Sequence, residues 1–177
     1  MEFRDILAAR RSTRKFLDKP VDAATTERLL QALFTAPSAR NARSTRVMTV
    51  DDTHILHNLA QMRDYGSGFL KNAPLAFVIA GEPSASGLWR ENAAIAATIL
   101  QLACVDEGLA SCWVHVDGRP HLQDEPDGMT AEEYMRTLLP LPETWSVLCI
   151  VAAGYSDFHP AELPPYDWHK DVISFGR

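Results

Sequence analysis

The chain has 177 residues, 46% hydrophobic and 23% charged, with a formal net charge of -6. That size and apolar content suit one domain with a real core, read as 1–177 with a C-terminal tail over 155–177. The acidic balance argues against nucleic-acid binding, and no run of about 18 apolar residues marks a membrane span. Met1-Glu2-Phe3-Arg4-Asp5 lacks the apolar core of a signal peptide. Cys104, Cys112 and Cys149 lie in apolar segments, which reads as buried thiols in a reducing, cytoplasmic setting rather than metal ligands.

Residues 2–9 predict a short helix with Phe3, Ile6 and Leu7 on one face. The stretch Arg10-Arg11-Ser12-Thr13-Arg14-Lys15-Phe16 follows as a loop. Asp22 can cap a second helix, striped by Leu29, Leu30, Leu33 and Phe34 and stopped by Pro37. After the polar loop 38–44, Val47 to Val50 predicts a strand, and Asp51 or Asp52 caps a helix carrying Ile55, Leu56, Leu59 and Met62. Tyr65 to Gly68 reads as a flexible link. Leu75 to Ala80 is a short continuous apolar strand, covered on both faces. Trp89 to Glu107 is a helix apolar nearly all round, hence buried in the core or at a subunit contact, with Gly108 as its C-terminal cap. Leu109 to Val116 predicts a third strand and His115 to Asp127 a surface loop. Thr130-Ala131-Glu132-Glu133 is a capping box opening a helix to Leu139, and Val147 to Ala153 predicts the fourth strand. The tail must dock to be ordered. On periodicity alone, strands interleaved with helices suggest a doubly wound parallel sheet.

The basic stretch has two readings. It places four cations within six residues of an acidic chain. One reading is a solvated surface; the other is an anion site of Arg forks and a Ser hydroxyl. No Gly-rich phosphate loop is present, so a bound phosphate would be held by side chains. His54 and His57 share a helix face with no third ligand and read as surface residues.

Four blocks, in order, resemble the FMN-dependent nitroreductase family. They are Arg10 to Phe16, Ala36-Pro37-Ser38-Ala39-Arg40-Asn41, Gln101 to Trp113, and Leu141-Pro142-Glu143-Thr144-Trp145 running on to Gly154-Tyr155. The resemblance covers about residues 3 to 165. It implies an α+β fold with a mixed, mainly antiparallel sheet flanked by helices, in an intertwined homodimer with the flavin site at the subunit interface. That replaces the doubly wound expectation. It also implies an oxidoreductase passing hydride from NADH or NADPH through FMN N5 to a small nitroaromatic or quinone acceptor, in a ping-pong cycle.

The resemblance places Arg10 and Ser12 on the FMN phosphate, with Arg11 in the same block and Arg14 near the pyrimidine end of the ring. Lys15 is left to solvent. Pro37, Ser38 and Asn41 would come from the other subunit, and a backbone N–H near His115 would meet flavin N5. In the tail, Leu163 to Lys170 matches the region that brings further cations to the phosphate. Lys170 is the nearest candidate there and Arg177 a second. One departure stands out: where family members often have Gln-Pro-Trp, this chain has Arg43-Ser44-Thr45, which alters local packing and the substrate-facing wall. Two other functions stay open: flavin binding without turnover, and another flavin reaction such as dehydrogenation, dehalogenation or flavin breakdown.

Overall fold

The computed structural model describes residues 2–161 and 164–176. Of the tail residues singled out above, Leu163 and Arg177 lie outside the described residues. The helices are α1 (Phe3–Ala9), α2 (Ala23–Leu33), α3 (Thr53–Leu59), α4 (Trp89–Asp106) and α5 (Ala131–Arg136). The strands are β1 (Thr45–Val50), β2 (Leu75–Gly81), β3 (Ala110–His115) and β4 (Ser146–Gly154).

Local chemistry starts these elements where side chains can satisfy free backbone N–H groups. Asp22 accepts from the Thr25 N–H at 2.8 Å to open α2, and Asp52, not Asp51, accepts from Ile55 at 2.9 Å to open α3. Thr130 and Glu133 form the reciprocal capping box of α5. Gly108 ends α4 at φ +71, a left-handed conformation open to glycine without strain. Three helices stop earlier than expected: α2 at Leu33, α3 at Leu59, before Met62, and α5 at Arg136.

The strands form one sheet in the order β1-β2-β4-β3, with every neighbouring pair antiparallel. This overturns the parallel arrangement that periodicity alone suggests. One face, with Ala76, Val78, Ile150, Ala152 and Val114, packs on Leu56, Leu59, Leu70 and Met135. The other, with Leu75, Phe77, Ile79, Val151 and Ala153, packs on Leu29, Leu33, Ala93, Ala97 and Leu100. Helices cover both faces, and that burial makes the strands uniformly apolar whatever their direction. The sheet is mixed through a single parallel bridge, Ser12 to Ser111, which lays the basic stretch along the outer edge of β3.

Packing is close where α4 meets the sheet. A Cβ on Gly81 would lie 2.6 Å from Trp89 Cε3. The link after α3 is anchored rather than loose: the buried Ser67 hydroxyl donates to Ala60 O at 2.8 Å and Arg63 O at 2.9 Å. All three cysteines are buried and unpaired. Among the described residues, no helix is long and apolar enough to cross a membrane.

Candidate functional site

The basic stretch is extended, pinned by the Thr13 N–H donating to Ser111 O at 3.0 Å. Extended backbone alternates side chains. Arg10, Ser12 and Arg14 therefore share one side, and Arg11, Thr13 and Lys15 the other. On the first side lies the Cys112 thiol. Burial pushes that thiol up, while the charges of Arg14 and Arg10 and a hydrogen bond with Ser12 pull it back. Arg14 also reaches over the Phe69 ring, 5.9 Å from its centroid. Neither Arg10 nor Arg14 pairs with a carboxylate among the described residues. On the second side, Arg11 Nη1 donates to Ala161 O at 2.5 Å, Lys15 sits 4.9 Å over the Phe158 ring, and Thr13 is buried. Arg11 is thus turned away from the other two arginines and toward the tail.

Farther along the same edge is His115. Peptide groups along a strand point alternately to its two sides. Ser111 O faces outward to Thr13, and the Val116 N–H faces inward to Leu148 O at 2.9 Å. The His115 N–H and C=O therefore face outward, on the open edge. Its C=O accepts from Arg63 Nη1 at 3.1 Å. The His115 imidazole is held below its usual range, first by burial and then by the Arg119 charge, which favours its neutral form.

The second loop begins after α2. Pro37 is exposed, and the Ser38 hydroxyl accepts from the Arg43 N–H at 2.9 Å, within its own loop. The Asn41 side-chain oxygen accepts from Arg43 Nε at 3.4 Å. Arg40, Asn41 and Arg43 take left-handed φ values of 53, 53 and 46°. Asn92 of α4 holds this shape. Its Oδ1 accepts from the Ala39 N–H and its Nδ2 donates to Ser44 Oγ, both at 2.9 Å. Ser44 is completely buried, so the departure at Arg43-Ser44-Thr45 supplies a lock. A cavity of about 400 Å³ beside the loop is lined by Phe34, Ser38, Arg43 and Arg46, among others.

One chain does not bring the two loops together. The second runs into β1 and the first lies against β3, at opposite edges of the sheet. Three strand spacings of about 4.8 Å separate those edges by roughly 14 Å. The tail splits similarly. Its first part docks on the basic stretch, through Leu17 N–H to Tyr155 O at 2.8 Å and Ser156 Oγ to Lys15 O at 2.6 Å. Residues 164–176 are exposed throughout. Lys170 lies there, 5.5 Å over the Tyr166 ring, and makes no described contact with the first loop.

The sequence reading misses Phe69, Arg63 and Asn92. The only available signal was Asn92 as a polar residue on an otherwise apolar helix face.

The sequence model of the Nitroreductase family matches residues 7–65 and 53–155. The chain belongs to the nitroreductase family. It is similar to an FMN-dependent nitroreductase from Clostridium difficile R20291, at 36% identity and TM-score 0.88, covering 97% of this chain and 98% of that one. A protein of Methanothermobacter thermautotrophicus, provisionally named NADH dehydrogenase/NAD(P)H nitroreductase, is 28% identical over 167 residues, 93% of this chain and 80% of the relative. A Desulfovibrio desulfuricans protein solved in complex with FMN is 19% identical and shares the fold, with TM-score 0.78 over 99% of this chain and 98% of that one.

Proposed function

We propose that the protein is an oxidoreductase that binds FMN and carries hydride from NADH or NADPH to a small oxidised acceptor of nitroaromatic or quinone type. The observation that carries this is the trio Arg10, Ser12 and Arg14 on one side of the β3 edge, with neither arginine paired to a carboxylate among the described residues. Two guanidinium forks and a hydroxyl, in an acidic chain, fit a phosphate monoester of charge about -1.5 to -2. The similarity to the C. difficile FMN-dependent enzyme supports the same cofactor.

FMN, when bound, would supply the hydride relay. The chain's residues bind and orient it. Arg10 and Ser12 hold the phosphate. Arg14, farther along on the same side, places positive charge toward the ring. The outward His115 N–H offers a backbone donor at the other end of the strand. Arg11 belongs to the tail contact.

Ser38 and Asn41 act on the flavin of a second copy, because their own first loop lies across the sheet. A homodimer also suits the exposed apolar side chains in or at the ends of α1, α2 and α4: Phe3, Leu7, Phe34, Leu88 and Ile95. The test is the absorbance spectrum of the purified protein, with NADH and then NADPH added without oxygen. A yellow protein that bleaches and recolours with a quinone is expected. A colourless protein that ignores added FMN refutes the reading.

A further inference from the structure

Arg63 is only 8% exposed, its Nε is buried without a hydrogen-bond partner, and its side chain's sole hydrogen bond among the described residues is Nη1 to His115 O. Two other partly buried arginines of this chain are neutralised. Arg46 and Arg136, with side chains 33% and 29% exposed, each meet a carboxylate at 2.5 Å, Glu82 and Glu132. Arg63 is more buried and meets none. A guanidinium taken out of water without a counter-charge is costly, and its Nε–Nη2 edge is the one a carboxylate takes in a two-bond fork.

We propose that Arg63 is a specificity-determining residue that recognises the carboxylate of an anionic aromatic acceptor. This rests on the oxidoreductase reading above. Arg63 is anchored on the carbonyl of His115, so its charge lies beside the outward N–H at the reaction end of the β3 edge. Arg10 and Ser12, at the other end, take the cofactor's phosphate, which leaves Arg63 for the reactant. Its guanidinium carbon lies 4.4 Å from the centroid of the Tyr65 ring. Tyr65 is 44% exposed and is followed by Gly66, which has open space around it, so the cover over Arg63 is at the surface. A flat carboxylate matches the two-bond edge of a flat guanidinium, and it reaches Arg63 once the exposed Tyr65 ring moves aside. The chain's net charge of -6 repels anions generally, so any preference for one requires a local cation.

The test is a pair of calorimetric titrations on the protein as purified, with benzoate and with benzamide, which share a shape and differ in charge. The wild type is expected to bind benzoate at least tenfold more tightly. In R63Q and R63M that ratio falls to near one, while R63K retains part of it. With flavin bound, the kcat/KM ratio of 4-nitrobenzoate to 4-nitrobenzamide follows the same order. No benzoate preference in the wild type overturns the proposal, and so does a preference that survives in R63Q. A loss of FMN affinity in R63Q with both probes weakened equally also overturns it, assigning Arg63 to the flavin instead. Should R63Q and R63M fail to fold, the wild-type ratio and R63K decide. A protein that ignores FMN refutes the earlier reading separately, since the benzoate titration needs no turnover.

Discussion

Asn92→Ala isolates what the second loop depends on. Asn92 is 2% exposed and ties Ala39 N–H and Ser44 Oγ, 53 and 48 residues away, to α4. Truncation strands a part-buried N–H, at about 1–3 kcal/mol, and removes a neutral hydrogen bond to a buried hydroxyl, at about 1 kcal/mol. The sum, about 2–4 kcal/mol, corresponds to a fall in Tm of about 4–16 °C for a chain of this length. The loop also holds three left-handed residues other than glycine, each strained by about 1 kcal/mol or more. Released from its tie, it relaxes. Thermal denaturation followed by circular dichroism reads the first effect. Tryptic cleavage after Arg40 and Arg43, faster in the variant well below its Tm, reads the second. A Tm within 1 °C of wild type with unchanged cleavage at both arginines would refute the lock.

Arg10→Ala should weaken FMN by roughly 10- to 100-fold, the worth of a charge-assisted contact, and leave riboflavin almost unchanged; equal loss of both flavins in fluorescence titrations removes Arg10 from the phosphate. Gly81→Ala drives a methyl to 2.6 Å from the Trp89 ring. It should cost about 1–3 kcal/mol, seen as a lower urea midpoint at unchanged slope, and an unchanged midpoint would show that Trp89 yields freely. Cys104, its thiol pushed up to about 12 by burial, should resist iodoacetamide at pH 8 until the protein unfolds. A folded value above the unfolded one favours the neutral thiol, so its stabilisation is intact below about pH 9 and is lost as pH rises toward 12. Rapid labelling of the native protein at pH 8 contradicts that burial.

The elements set by neighbours in sequence were legible in advance. Asp22, the Asp51/Asp52 pair and the Thr130–Glu133 box each act within three or four residues, and side-chain chemistry points to them, leaving only the choice of Asp52 over Asp51 to the structure. Strand direction was not legible. A sheet covered by helices on both faces has the same apolar runs whether its strands are parallel or antiparallel, and only the family resemblance pointed to the observed arrangement. The basic stretch was visible as a cluster, but its division was not. That follows from the bond between Thr13 and Ser111, which makes the backbone extended and sorts 10, 12 and 14 from 11, 13 and 15. Arg63 was hidden for a related reason: its side chain's one described hydrogen bond spans 52 residues. No window of sequence shows that a surface-type residue has been buried on a strand edge.

Charge placement ties these observations together. The chain has 23 acidic residues against 17 lysines and arginines, so carboxylates are not scarce. Arg28, Arg46, Arg90 and Arg136 each hold one at 2.7 Å or less. Arg10, Arg14 and Arg63 hold none among the described residues, and all three belong to the outer edge of β3, through Cys112 or His115. Unpaired cations scattered over a surface are ordinary, because water screens them. Three on one strand edge, one of them buried, gather positive charge there, with Asp117 near enough to act on His115 at one end. On the proposed reading, this edge would take anions at both ends. A phosphate at the Ser12 end and a carboxylate at the His115 end would span the strand, with the reacting groups between them beside the outward N–H.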